Sequence, residues 1–186
     1  MVRTFAFAAL LTACFAPQAH AYNNPISRGL ADFLNIFSAQ PVPRQVVEWR
    51  KPYPPGTVVI STSQRRLYFV LGQGQAIQYG VGVGRQGFSW SGTKTVTMKR
   101  EWPDWRPPAQ MLKRRPDLPR YMEGGMDNPL GARALYLGSS LYRIHGSNEA
   151  DTIGAAVSSG CIRMTNRDVM DLYDRVKVGT KVVVLP

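Results

Sequence analysis

Val58-Val59-Ile60-Ser61-Thr62 and Arg66-Leu67-Tyr68-Phe69-Val70-Leu71 are two short runs of branched and aromatic residues, separated by the polar turn Ser63-Gln64-Arg65. The pattern predicts a β-hairpin, since such side chains pack well on a pleated, half-buried surface. C-terminal to it, Gly72-Gln73-Gly74 turns the chain into a third run, Ala76 to Val83, and Lys94 to Lys99 alternates as a fourth strand. Ala134-Leu135-Tyr136-Leu137 and Leu141-Tyr142-Arg143-Ile144 flank the turn Gly138-Ser139-Ser140, a second hairpin that delivers His145 at a strand end. One helix is clear: Thr165 and Asp168 fit a capping box, and Val169, Leu172, Tyr173 and Val176 fall at helical spacing. Gly179-Thr180 stops it, and Lys181 to Leu185 closes the chain as a strand. The expectation is a mainly β fold of mostly antiparallel strands, with one α-helix near the C-terminus.

Towards the N-terminus, Met1-Val2-Arg3-Thr4 is a short basic start, followed by the apolar run Phe5 to Ala16 and by Ala19-His20-Ala21. This predicts a signal peptide over residues 1–21, with a run too short to anchor in a bilayer. Leu11-Thr12-Ala13-Cys14 also resembles a lipoprotein cleavage box, so a lipid anchor on Cys14 is the alternative route. Either route predicts an exported, periplasmic protein. Residues 22–55 read as an extended or partly helical leader and linker, ending in Lys51-Pro52-Tyr53-Pro54-Pro55-Gly56. Between about Arg100 and Gly131 there is no periodicity, but Trp102, Trp105 and Pro107-Pro108 argue for an ordered loop, expected beside the site and able to act as a lid.

The 186 residues less the first 21 are enough for one domain with a real core. The net charge of +11 invites a nucleic-acid reading, but the basic residues are scattered rather than gathered in a stripe. No nucleic-acid partner is expected; anionic wall polymers and lipid head groups suit an exported basic protein better. A monomer is expected.

After residue 21 the chain holds one cysteine and one histidine, Cys161 and His145. An unpaired thiol in an oxidising compartment is a liability unless it reacts. An imidazole that takes its proton makes it a nucleophile. Gly160 lets the backbone bend sharply before Cys161, and the amides of Ser159, Gly160 and Cys161 are candidates to hold an oxyanion. No carboxylate sits where it would orient the imidazole, but the carbonyl of Gly146 can. Arg163, two residues past the thiol, is a candidate for binding a substrate carboxylate. One His and one Cys are too few for zinc, so neither a metal nor a cofactor is expected.

His145-Gly146, then Ser158-Ser159-Gly160-Cys161-Ile162-Arg163-Met164, with Asn166 and Asp168 after it, resembles the L,D-transpeptidase catalytic domain of bacterial cell walls. The similarity extends upstream through Asn128-Pro129-Leu130-Gly131 and, more loosely, to the strands after Gly56. The resemblance implies a β-sandwich or barrel over residues 56–186. It makes Cys161 the nucleophile, His145 the base, Gly146 the orienting carbonyl, and Ser159, Gly160 and Cys161 the oxyanion amides. It implies attack on the L-centre of diaminopimelate in a tetrapeptide stem of peptidoglycan and release of D-alanine. The acceptor it allows is an amine of another stem, of an outer-membrane lipoprotein or of a free D-amino acid.

Many members carry histidine before the Gly-Cys pair, where this chain has Ser159. Carboxypeptidase action or D-amino-acid exchange on the same scaffold, and a wall-binding module without catalysis, are the competing readings. A sortase-like enzyme would place its arginine farther along and carry Thr-Cys. A Cys-His endopeptidase usually has its cysteine first.

Overall fold

The computed structural model describes residues 42–186. The export signal, Cys14 and the part of the leader before residue 42 lie outside the described residues. Eleven strands are present among them: β1 (Gln45–Glu48), β2 (Val58–Ser61), β3 (Arg66–Gly72), β4 (Gln75–Gly80), β5 (Val83–Gly84), β6 (Gly92–Glu101), β7 (Arg133–Leu137), β8 (Arg143–His145), β9 (Ala156–Ser158), β10 (Ile162–Arg163) and β11 (Lys181–Leu185). Helix α1 is the short Ala109–Arg114 and α2 is Asn166–Arg175.

Nine strands join in one sheet, in the order β1-β4-β3-β2-β11-β6-β7-β8-β10, and β5 pairs with β9 apart from it. Pairing is antiparallel except at β2–β11, β8–β10 and β5–β9. The fold is therefore mainly β with one long helix, as the sequence predicts. The Val58–Leu71 hairpin forms in register, Ile60 opposite Leu67 and Val58 opposite Phe69.

Both wings of the sheet feed one shared apolar core, with a second, smaller cluster at Trp49, Val59, Val70 and Ala76. Val58, Ile60, Leu67 and Tyr79 come from one wing, and Leu135, Leu137, Ile144 and Ile162 from the other. Helix α2 closes it with Val169 and Leu172, both fully buried. Each such side chain contributes roughly 1.5–3 kcal/mol relative to exposure. The helix starts where expected: the Thr165 hydroxyl accepts the Asp168 amide at 3.2 Å. At its far end Lys99 Nζ donates to the Tyr173 and Val176 carbonyls, each at 2.6 Å.

Three departures have physical reasons. The run Ala76 to Val83 is not one strand: Gly82 leaves the ladder to exchange backbone bonds with Arg163, at 2.9 and 2.8 Å, which ties the middle of the chain to the cysteine loop. The aperiodic stretch after Arg100 holds α1, which buries none of its residues and so has no apolar stripe to read. Gln45–Glu48, read as leader, lies along β4 as an edge strand. Two valines between a glutamine and a glutamate are too short a run to display a strand period.

Candidate active site

His145 ends β8 and Cys161 immediately precedes β10. These strands are parallel neighbours, with Ile162 beside Ile144 and Arg163 beside His145. A pairing between two short strands therefore brings the imidazole and the thiol to one end of the sheet. Both line a cavity of about 660 Å³. Its walls also include Trp105, Met111, Arg114 and Leu118 from the 100–131 stretch. The aperiodic segment thus borders the site, and α1 forms part of its rim.

The imidazole is buried and its Nδ1 lies 2.6 Å from the Gly146 carbonyl oxygen. A carbonyl only accepts, so Nδ1 carries the proton and Nε2 is left as the basic nitrogen. Burial is the main influence on this ring; with the positive charge of Arg163 it lowers the pKa to about 3, against which the Gly146 carbonyl works. Burial also pushes the Cys161 thiol up, while the Arg143 amide and guanidinium against the sulphur pull the other way. The resting pair is a neutral thiol and a neutral imidazole. Such a thiol becomes nucleophilic as a base removes its proton during attack, rather than by standing as a thiolate.

Gly146 is fixed from behind. Asn166, wholly buried at the start of α2, accepts the Ala132 amide at 2.8 Å and donates to the Ser147 carbonyl at 3.2 Å. A Cβ on Gly146 or on Gly131 would collide with the Asn166 carboxamide oxygen. Upstream, Asn128 donates to the Glu123 carbonyl at 2.8 Å and accepts the Leu130 amide at 2.9 Å. The Asn128-Pro129-Leu130-Gly131 and Asn166 motifs are thus hydrogen-bonded supports of the histidine loop.

The cysteine turn is pinned by its neighbours. The Ser158 hydroxyl accepts the Gly160 amide at 3.1 Å and donates to the Cys161 carbonyl at 2.6 Å. The Ser158 carbonyl accepts the Arg85 amide at 3.0 Å. Trp90 Nε1 donates to the Gly160 carbonyl at 2.7 Å. The amides of Ser159 and Cys161 have no hydrogen-bond partner among the described residues, so they remain open to a ligand. The Gly160 amide, by contrast, is already bonded to the Ser158 hydroxyl. Arg163 also differs from a free carboxylate receptor, since its guanidinium holds Glu149 at 2.8 Å.

Arg143 and Trp90 were not singled out from sequence. Arg143 had a signal: two residues before His145 on one strand, it must share that face. Trp90 had none, being 70 residues from its partner. In all, Arg85, Arg114, Arg115, Arg143 and Arg163 line the cavity, against one acid, Glu149.

A thiol, an imidazole with a fixed basic nitrogen and two open backbone amides, at the end of a curved β-sheet, define a site equipped for acyl transfer. The L,D-transpeptidase catalytic domain model matches residues 55–184. Relatives include the probable L,D-transpeptidases ErfK/SrfK (36% identical, covering 69% of this chain) and YbiS (38%, covering 68%) of Escherichia coli strain K12. The matches span only 43% of each relative's length. Among solved structures, a Brucella melitensis protein named a probable carnitine operon oxidoreductase is 44% identical over 81% of this chain and 98% of its own, with a TM-score of 0.53. An L,D-transpeptidase from Mycobacterium smegmatis shares the fold at 19% identity, with a TM-score of 0.56 over 70% of this chain and 58% of its own. The chain belongs to the L,D-transpeptidase catalytic domain family.

Proposed function

We propose that the protein is an exported peptidoglycan L,D-transpeptidase, with catalysis carried by residues 56–186 behind a leader at 22–55 and a signal peptide at 1–21. Cys161 Sγ attacks the carbonyl at the L-centre of diaminopimelate as His145 Nε2 takes the thiol proton. The open amides of Ser159 and Cys161 receive the oxyanion. The C–N bond to D-alanine breaks, and His145 returns the proton to the leaving amine. The thioester is then resolved by an amine, with the same nitrogen as base.

The observation that carries this reading is the His145 tautomer. With Nδ1–H held by Gly146, the basic nitrogen and the thiol open onto one cavity. Arg85, Arg114 and Arg143, the cavity arginines with no carboxylate partner among the described residues, suit a stem peptide rich in carboxylates. The described residues contain no helix long and apolar enough to cross a membrane.

The test is mass spectrometry after incubating the mature protein with disaccharide-tetrapeptides. A 3→3 dimer, absent with Cys161→Ala, is the expected result. D-alanine loss without dimer would replace cross-linking by carboxypeptidase action. An acyl adduct persisting in Cys161→Ala would overturn the assigned nucleophile.

A further inference from the structure

Trp90 lies between β5 and β6, and its half-buried ring is not part of the cavity wall. Its indole is stacked on Tyr142, with centroids 4.6 Å apart and planes 6° from parallel. Lys94 Nζ sits over both rings, at 5.4 and 5.8 Å. This stack fixes the indole edge, whose N–H donates to the Gly160 carbonyl at 2.7 Å. Gly160 is pressed on the same group: at φ +107 it is in the left-handed half of the map, and a Cβ there would meet the Tyr142 ring at 2.5 Å.

The Gly160 carbonyl and the Cys161 N–H belong to one peptide unit. No cis bond occurs among the described residues, so the two point in opposite directions across that plane. Trp90, which takes no part in the cavity wall, holds that carbonyl. The Cys161 amide therefore points the opposite way from Trp90, in a residue that lines the cavity, and it has no hydrogen-bond partner among the described residues. The flanking units are set independently, by Ser158 and by the Arg85 amide. Among the described residues, Trp90 alone holds the unit that bears the Cys161 N–H.

We propose that Trp90 is a positioning residue: its indole N–H, braced by Tyr142, aims the Cys161 amide at the oxyanion of the tetrahedral intermediate. The proposal rests on the transpeptidase reading for its chemistry and on backbone geometry for its effect. Without the indole bond the peptide unit can rock, and a misaligned oxyanion donor loses much of what it contributes.

The variant is Trp90→Phe, which keeps an aromatic ring against Tyr142 and removes the N–H. Single-turnover acylation of Cys161 by a carbapenem needs the oxyanion site; alkylation by iodoacetamide, a displacement at a saturated carbon, does not. Acylation should fall about ten- to hundred-fold and alkylation should stay within twofold of the parent. With a tetrapeptide donor the loss should fall on kcat, with KM unchanged. The Cys161 backbone amide should also shift in a ¹⁵N correlation spectrum, a readout that needs no activity. Equal losses of acylation and alkylation would mean that the thiol itself moved, and would overturn the proposal. So would unchanged acylation, or an unmoved Cys161 amide. A parent protein that alkylates but is never acylated would instead sink the transpeptidase reading, leaving the amide spectrum to decide the role of Trp90.

Discussion

His145 Nδ1 and the carbonyl oxygen of Gly146, the next residue, lie 2.6 Å apart. A main-chain carbonyl cannot take up a proton at any ordinary pH, so this contact fixes the tautomer without adding a second titrating group. In the proposed mechanism the imidazole then acts alone. His145→Ala should slow acylation of Cys161 by a factor of about 10² to 10⁴, the usual cost of losing a general base. Because burial holds the thiol protonated, raising the pH should recover part of the rate as the thiolate forms unaided. Stopped-flow acylation between neutral and alkaline pH checks this; a variant with an unchanged rate would remove His145 from the proton path.

The same burial makes His145 a source of acid sensitivity. Its ordinary pKa of 6.5 is lowered to about 3 in the folded chain. Between these values the unfolded state binds a proton that the native state refuses, so stability falls as the pH drops from 6.5 towards 3. Buried Asp168, whose pKa is raised, works in the opposite direction over its own range, so the total slope mixes both. The comparison with His145→Gln isolates the histidine. Melting temperatures of the variant should decline less than the parent's on acidification from pH 7, and parallel curves would contradict a neutral buried imidazole.

Gly146 has a negative φ and needs no special backbone freedom; it is glycine because Asn166 leaves no room for a Cβ. Gly146→Ala should therefore destabilise by about 1–3 kcal/mol, the cost of overpacking. In an Asn166→Ala background the same change should cost less, since the colliding carboxamide is gone. Denaturant unfolding of the four proteins gives the coupling. An additive cycle would mean that the strain lies elsewhere.

These contacts bear on what the sequence could show. The 58–71 hairpin, α2 with its Thr165 cap and β11 were legible because each is long enough to display a period. His145 and Cys161 were legible because they are unique after residue 21. The support of the site was not. Gly160's amide goes to Ser158 only once the turn is built, and Glu149 meets Arg163 fourteen positions on, across a turn and the three-residue β9. Trp90 reaches Gly160 through the pairing of β5 with β9, five residues in all, too short for any periodic signal.

Lys99, on a strand read only for its alternation, caps α2. Its two 2.6 Å bonds to the Tyr173 and Val176 carbonyls satisfy groups that a helix end leaves open, and it lies 4.0 Å from the Tyr173 ring centroid. Lys99→Met keeps the aliphatic stem and loses the charge. It should cost about 1–2 kcal/mol and lower the melting temperature by roughly 2–6 °C, with acylation unaffected. A shift within experimental scatter would mean that water replaces the ammonium without cost.

Ser159 stands where the resemblance places a histidine in many members. The peptide unit carrying the Ser159 amide is fixed through the Ser158 carbonyl by the Arg85 amide at 3.0 Å, a main-chain bond. The Ser159 side chain lines the cavity but makes no hydrogen bond among the described residues. Ser159→His should therefore leave both the amide and the His145 tautomer in place, and change the acylation rate by less than about tenfold. The decisive comparison is the double variant. With His145→Ala as background, a histidine at 159 should restore nothing if the proposed base, Nε2 of His145, is the one that takes the proton. Recovery of acylation in that double variant, followed with a chromogenic β-lactam, would show a second route for the proton and withdraw the role assigned to His145.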